Sequence, residues 1–339
     1  MIRRFIFRAR PVLALSCALA GLVALAAGDA PQHGKDGPLL LIDGGGKEQK
    51  LTAWRFTNGT RHLTWLGEHK PSDPKPEPKP PEPKPEPPKG KAPAKAPAPK
   101  AKPAVGPEAL EFREEQSTNW ADGIVTLVPL NRIRSLEYDD VKQTVTLKAA
   151  TADKDKDEVL TGSTKYKGVN KLTIEAEVDK GDMGVAEVKF LAGTAKGIRG
   201  LTFPKPQGPA GGPAGRPASI TVLDKMKFTQ KAVDLVPLYR LPDGSERAVP
   251  TLLFKKTLKV DLAKVQKIHA VEAPGSAETE WIVSFKDGEE QTLTLLKTMT
   301  IDDKPATLEG FVGRTAFGYR IYPPHTIGDI VFDEAVKSE

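Results

Sequence analysis

Five histidines, His33, His62, His69, His269 and His325, are the side chains here best suited to proton transfer or metal binding near neutral pH. None has a partner at working spacing: there is no His-x-His, no His-Glu-x-x-His, and the single cysteine is Cys17. Zinc coordination therefore has no support in residue type or spacing. No Gly-x-Ser-x-Gly elbow offers a nucleophile, and Asp43-Gly44-Gly45-Gly46 lacks the lysine of a phosphate loop and reads as a turn. The acidic run Asp153, Asp155, Asp157 and Glu158 resembles the start of a calcium loop, where oxygen ligands alternate. Lys154 and Lys156 offset its charge, Glu158 stands at the sixth position where glycine is needed, and Thr164 at the twelfth where a bidentate acid is needed. A solvated turn is the expectation, with Asp153, Asp155 and Asp157 as the candidates if a metal binds at all. No catalytic residue and no cofactor is expected. Among the aromatics, Trp54, Trp65, Trp120 and Trp281 fall on alternating stretches, which places them in a core. Tyr319 and Tyr322, flanking the YRIYPPH turn, are the candidates for a ligand-binding surface.

The elements that carry these residues are strands. Leu172, Ile174, Ala176 and Val178 alternate with Thr173, Glu175 and Glu177, and Trp281, Val283 and Phe285 alternate with Ile282, Ser284 and Lys286. Turn signals recur at Asp122-Gly123, Lys167-Gly168, Gly181-Asp182, Asp243-Gly244 and Asp287-Gly288. The fold class expected is all-β, as two tandem, duplicated small barrel or roll domains. A Gly/Pro/Ala breaker at residues 204–218 divides them, giving a first domain of 36–68 plus 106–204 and a second of 219–335. Duplication is read from three phrases in the same order. VPLNRIRSL (Val128 to Leu136) lies over VDLAKVQKI (Val260 to Ile268), VTLK (Val145 to Lys148) over VSFK (Val283 to Lys286), and Ile198, Leu201 and Phe203 over Ile327, Ile330 and Phe332. A further gapless match sets RFTNGTRHLTWL (Arg55 to Leu66) over KFTQKAVDLVPL (Lys227 to Leu238).

Two segments lie outside this pattern. Arg3, Arg4, Arg8 and Arg10 precede the apolar run Pro11 to Ala27, the order of an export signal, expected to be removed after about residue 28. Its 17 apolar residues fall short of the roughly 20 that span a bilayer, so no membrane span is expected after cleavage. Between Lys70 and Pro103 stand fourteen prolines, nine lysines and four acids, a composition that stays extended and solvated. This disordered Pro/Lys-rich tract is expected to be an insertion in a loop of the first domain, because loop-closure entropy grows only logarithmically with length. Of the net charge of +6, the leader supplies +4 and the tract +5, which leaves −3 on the rest. The basicity is therefore no sign of a nucleic-acid face, although the tract could adhere to anionic cell-surface polymer.

The phrase FKDGEEQTLTLL (Phe285 to Leu296) resembles the strand, Lys-Asp-Gly turn and bent strand of SH3-like and Sm-like small barrels. TLVPLNRIRSLEYD (Thr126 to Asp139) and GSTKYKGVNKLTIEAEVD (Gly162 to Asp179), together with the tract, resemble uncharacterised exported proteins of planctomycete-type bacteria. That resemblance implies an envelope setting, periplasmic, cell-surface or secreted, and no activity. The function expected is a non-enzymatic binding or scaffolding protein of the envelope, its partner an unknown envelope protein. The alternatives are a glycan or cell-wall binding module and, behind it, a carboxylate-dependent hydrolase.

Overall fold

The computed structural model describes residues 37–66, 106–112, 123–151, 156–163, 172–192, 197–204, 206, 215–223, 228–271 and 280–333. The expected leader, the tract and most of the 204–218 breaker lie outside them. No α-helix occurs among the described residues; the protein is all-β. Its first half contains β1 (Leu39–Asp43), β2 (Glu48–Asn58), β3 (Thr60–His62), β4 (Glu108–Phe112), β5 (Val125–Pro129) and β6 (Ile133–Asp139). It continues through β7 (Thr144–Ala150), β8 (Asp157–Ser163), β9 (Thr173–Asp179), β10 (Val185–Leu191) and β11 (Ile198–Thr202). The second half contains β12 (Pro217–Val222), β13 (Thr229–Arg240), β14 (Glu246–Ala248), β15 (Thr251–Phe254), β16 (Leu258–Asp261) and β17 (Val265–Val271). It ends with β18 (Glu280–Phe285), β19 (Glu290–Thr294), β20 (Thr298–Ile301), β21 (Lys304–Arg314), β22 (Tyr319–Tyr322) and β23 (Ile327–Phe332). Period-2 burial explains the strands: in β12 the buried residues Ala218, Ile220 and Val222 alternate with half-buried neighbours. The Asp243-Gly244 and Asp287-Gly288 turns place Gly244 and Gly288 at φ of +81° and +92°, where a side chain would be strained.

The strands form an eight-stranded antiparallel sheet in the order β10-β9-β2-β1-β11-β6-β7-β8 and a thirteen-stranded one running β19-β18-β17-β23-β12-β13-β21-β22-β5-β4-β3. In the larger sheet β14 adds to β13 and β20 to β21, while β15 and β16 pair separately. Neither large sheet closes. The barrel form of the expected fold is thereby corrected to open sheets: closure needs the two end strands to meet, and here β10 and β8 end opposite sides of one sheet while β22 continues into β5.

One eight-strand order occurs twice. Replacing β1, β2, β6, β7, β8, β9, β10 and β11 by β12, β13, β17, β18, β19, β21, β22 and β23 turns the first sheet into the main run of the second. Registers agree as well. Leu201 lies opposite Leu136 as Ile330 lies opposite Ile268. A bulge between Ile42 and Asp43 matches one between Thr221 and Val222, and a bulge between Ile133 and Ser135 matches one between Val265 and Lys267. A 3-10 turn precedes β6 at Leu130–Arg132 and β17 at Leu262–Lys264. Two of the sequence matches shift under this pairing. Leu147 faces Leu136 where Val283 faces Ile268, so VTLK and VSFK are two residues out of step. Leu51 faces Leu39 where Ala232 faces Ala218, so Phe56 takes the place of Pro237 and not of Phe228. The first slip, of two residues, keeps every side chain on its face, which is why an apolar pattern cannot exclude it.

Each half has its own core. Leu39, Leu41, Trp54, Leu136, Leu147 and Ile174 belong to the first, and Ile220, Tyr239, Ile268, Trp281, Phe311 and Ile330 to the second. A third cluster draws on both halves: Leu63, Trp65, Ala109, Val125 and Leu127 pack against Leu238, Val312 and Ile321. Each fully buried Leu, Ile or Val in it contributes about 1.5–3 kcal/mol. This cluster lies beside the strand pair β5–β22, in which Leu127, Thr126 and Val125 face Tyr319, Arg320 and Ile321.

Candidate functional site

The most concentrated set of charges among the described residues lies at this junction. Arg61 comes from β3, opposite Ala109; Glu246 comes from β14, opposite Arg240 of β13. Glu309 comes from β21, where a bulge pairs Leu238 with Gly310 and Tyr239 with Leu308, leaving Glu309 unopposed. The guanidinium of Arg61 donates to both carboxylate oxygens of Glu246 and, at 2.7 Å, to Glu309. Arg240 donates to Glu309 at 2.8 Å and to Glu246 at 3.3 Å. Thr64 adds to the joint by accepting from the Glu246 backbone N–H at 3.1 Å. Arg61 also lies 5.9 Å from the centroid of the Trp65 ring, within cation–π range.

Burial governs the electrostatics. Only 5% of the Glu246 side chain and 12% of the Arg61 side chain is exposed. Burial lifts the Glu246 carboxyl above its usual range against the pull of Arg61. For Arg61, burial pulls downward, and the two carboxylates outweigh it, holding the guanidinium above its ordinary value. All four carboxylate oxygens accept from arginine, so the cluster clamps the halves together. It borders a cleft of about 400 Å³ lined by Arg240, Leu241, Pro242, Pro305, Thr307 and Glu309.

A second charged surface lies on the first half. Arg55, Glu175 and Lys189 stand side by side across β2, β9 and β10. Arg55 donates to Glu175 at 2.7 Å and Lys189 at 3.2 Å, and these hydrogen bonds, Arg55 first, hold the Glu175 carboxyl below its usual range. A shallow cleft of about 280 Å³ lies here, bordered also by Ala53, Glu177 and Glu187. The corresponding ladder in the second half is Val236, Val312 and Ile321, apolar residues packed into the shared cluster.

The residues singled out from sequence are dispersed. Asp153 and Asp155 lie outside the described residues, and Asp157 begins β8, where it accepts from Arg134 at 2.5 Å. His33 and His69 are likewise outside; His62 lies 3.4 Å from the Gly106 carbonyl oxygen, and His269 bonds Asp329 at 3.0 Å. Asp329 also pairs with Lys267. His325 sits in a 3-10 turn against Gly123, where burial and then Lys297 lower its pKa. No group of three or more His, Cys, Asp or Glu placed to hold a metal occurs among the described residues. Tyr322 is fully buried, whereas Tyr319 is half-buried and edge-on to Trp65 at 6.3 Å. Trp54, Trp65 and Trp281 are buried, and Trp120 lies outside the described residues. Arg61, Glu246 and Glu309 carry no local signal in the sequence: β3 reads Thr-Arg-His and β14 Glu-Arg-Ala, charged stretches that look solvated. No family model, no curated protein and no solved structure matches the chain.

Proposed function

We propose that this is an exported, non-enzymatic scaffolding protein of the cell envelope, a two-half β platform carrying the Pro/Lys-rich tract as a projection. The observation that carries the reading is the junction. A continuous sheet through β22–β5, an apolar cluster drawn from both halves and a buried four-charge clamp hold two sets of surfaces in one fixed relation. That is what a scaffold requires and what a hinged enzyme cleft would avoid. The projection fits the same picture, because β3 and β4, which flank it, are paired to each other. We also read the halves as copies of one ancestral unit, supported by their common strand order and their two matching bulges.

Affinity capture of the protein from an envelope extract, with and without residues 70–103, tests the reading. Saturable retention of an envelope component that survives the deletion is the expected result. Retention that disappears with the tract, or on raising salt, transfers the role to the lysines and an anionic polymer. No saturable retention at all overturns the proposal.

A further inference from the structure

Within the molecule, the hairpin β4–β5 of the first half extends the sheet of the second by laying β5 along its last strand, β22. Each partner in that contact has a counterpart. The hairpin β15–β16 corresponds to β4–β5: Leu252 faces Val260 as Leu110 faces Val128, and a 3-10 turn follows each. The strand β10 corresponds to β22, with Lys189, Glu175 and Arg55 in the places of Ile321, Val312 and Val236. Yet among the described residues β10 pairs only with β9, and β16 only with β15. The rotation that relates the halves therefore does not close within one chain. Among the described residues it leaves β10 with one unpaired edge to accept a strand and β16 with one unpaired edge to donate.

We propose that β10 of one molecule pairs antiparallel with β16 of a second copy, reproducing the β22–β5 contact between chains. The intramolecular register, Tyr319 to Leu127 and Arg320 to Thr126, transfers to Glu187 opposite Lys259 and Val188 opposite Leu258; the next residue, Thr257, lies in the 3-10 turn before β16 at a φ of +57° and ends the ladder. The chemistry of the two edges is complementary in that register. Glu187 meets a lysine across the strands, a favourable pair, where a slip of two would set Lys189 against Lys259. Val188, already packed on the first core, meets Leu258, which is 40% exposed in the single chain. The contact is more polar than its intramolecular counterpart on the outer face, so it forms in a concentration-dependent way rather than as a permanent interface. Because donor and acceptor are different surfaces, the assembly is head-to-tail and grows into a ring or a filament. This goes beyond the scaffolding reading: monomers could retain an envelope partner, and copies could pair without one, so the two proposals fail separately.

After removal of residues 1–28 the chain has no cysteine, which permits a direct test on the otherwise complete protein. Glu187→Cys and Lys259→Cys are made in separate preparations, mixed and oxidised with diamide. Covalent dimer is expected in the mixture at about tenfold or more over either variant alone. Equal cross-linking of Glu187→Cys with itself, or no excess in the mixture, overturns the proposal. In sedimentation, E187K and K259E are each expected to weaken self-association about fivefold, and the double exchange to restore it. A protein that stays monomeric at about 1 mM, where a dissociation constant near that value would be visible, overturns it too.

Discussion

Arg61 is the more buried of the two arginines at the junction, and its loss strands the buried Glu246. Truncating it leaves Glu246 buried with only half-exposed Arg240 for compensation, and removes the cation over Trp65. Breaking a buried pair by deleting one partner typically costs about 3–5 kcal/mol. Arg61→Ala is expected to lower the unfolding free energy from urea titration by that much, and Arg240→Ala, at the exposed rim, by about 1 kcal/mol or less. Equal effects would remove Arg61 from its assigned role. This clamp was not legible in the sequence, since Arg61 lies 185 residues from Glu246 and 248 from Glu309. What was legible at this scale was local: Trp54 and Trp281 sit at alternate positions of their strands and are buried, as that period requires. Charge in a strand reads as a solvated face unless the partner is known, and here the partners come from the other half.

At the scale of elements the junction depends on close backbone approach between β22 and β5. A side chain at Gly318 would stand 2.2 Å from the carbonyl oxygen of Leu127, closer than atoms can come. Gly318→Ala must therefore push β5 away from β22, at a cost of about 1–3 kcal/mol. Hydrogen exchange should show it as faster amides in β5 and β22, with β6, β7, β17 and β18 unchanged; uniform acceleration would contradict a localised contact. Alternation in β9 and turn glycines such as Gly288 announced strands and hairpins in advance. The register between distant strands was not announced. Phe56 and Phe228 align convincingly as letters, but the pairing puts Phe56 in the place of Pro237, nine residues away, and that can be seen only in the register.

For the whole molecule, strands on both sides of the tract belong to one compact unit. β1 and β2 pair with β11 and β9, and β3 pairs with β4, so residues 37–66 are held by contacts that do not pass through the tract. A specific protease site placed at residues 84–86 is expected to give two fragments that co-elute until denaturant is added. Free elution of the shorter one would contradict the pairing. The sequence shows why the folded part is separable from the tract in composition, but the open sheets were not visible in it, because alternation is common to barrels and sheets and closure depends on which strands end at the edges.

The pairing of β3 with β4 also sets how the molecule answers a mechanical load. Tension applied through residues 67–105 acts on both strands at the same end, so it peels them apart one bond at a time and does not shear them together. On the β3 side it first meets Trp65, buried in the shared cluster, and Thr64, bonded to the Glu246 backbone; between the strands the first bond is the Leu63 N–H to the Pro107 carbonyl oxygen, and then His62 opposite Glu108. The third is Arg61, fastened sideways to Glu246 and Glu309. A pull on the tract is therefore passed into the second half of the molecule, first through Thr64 and Trp65 and then through the Arg61 guanidinium.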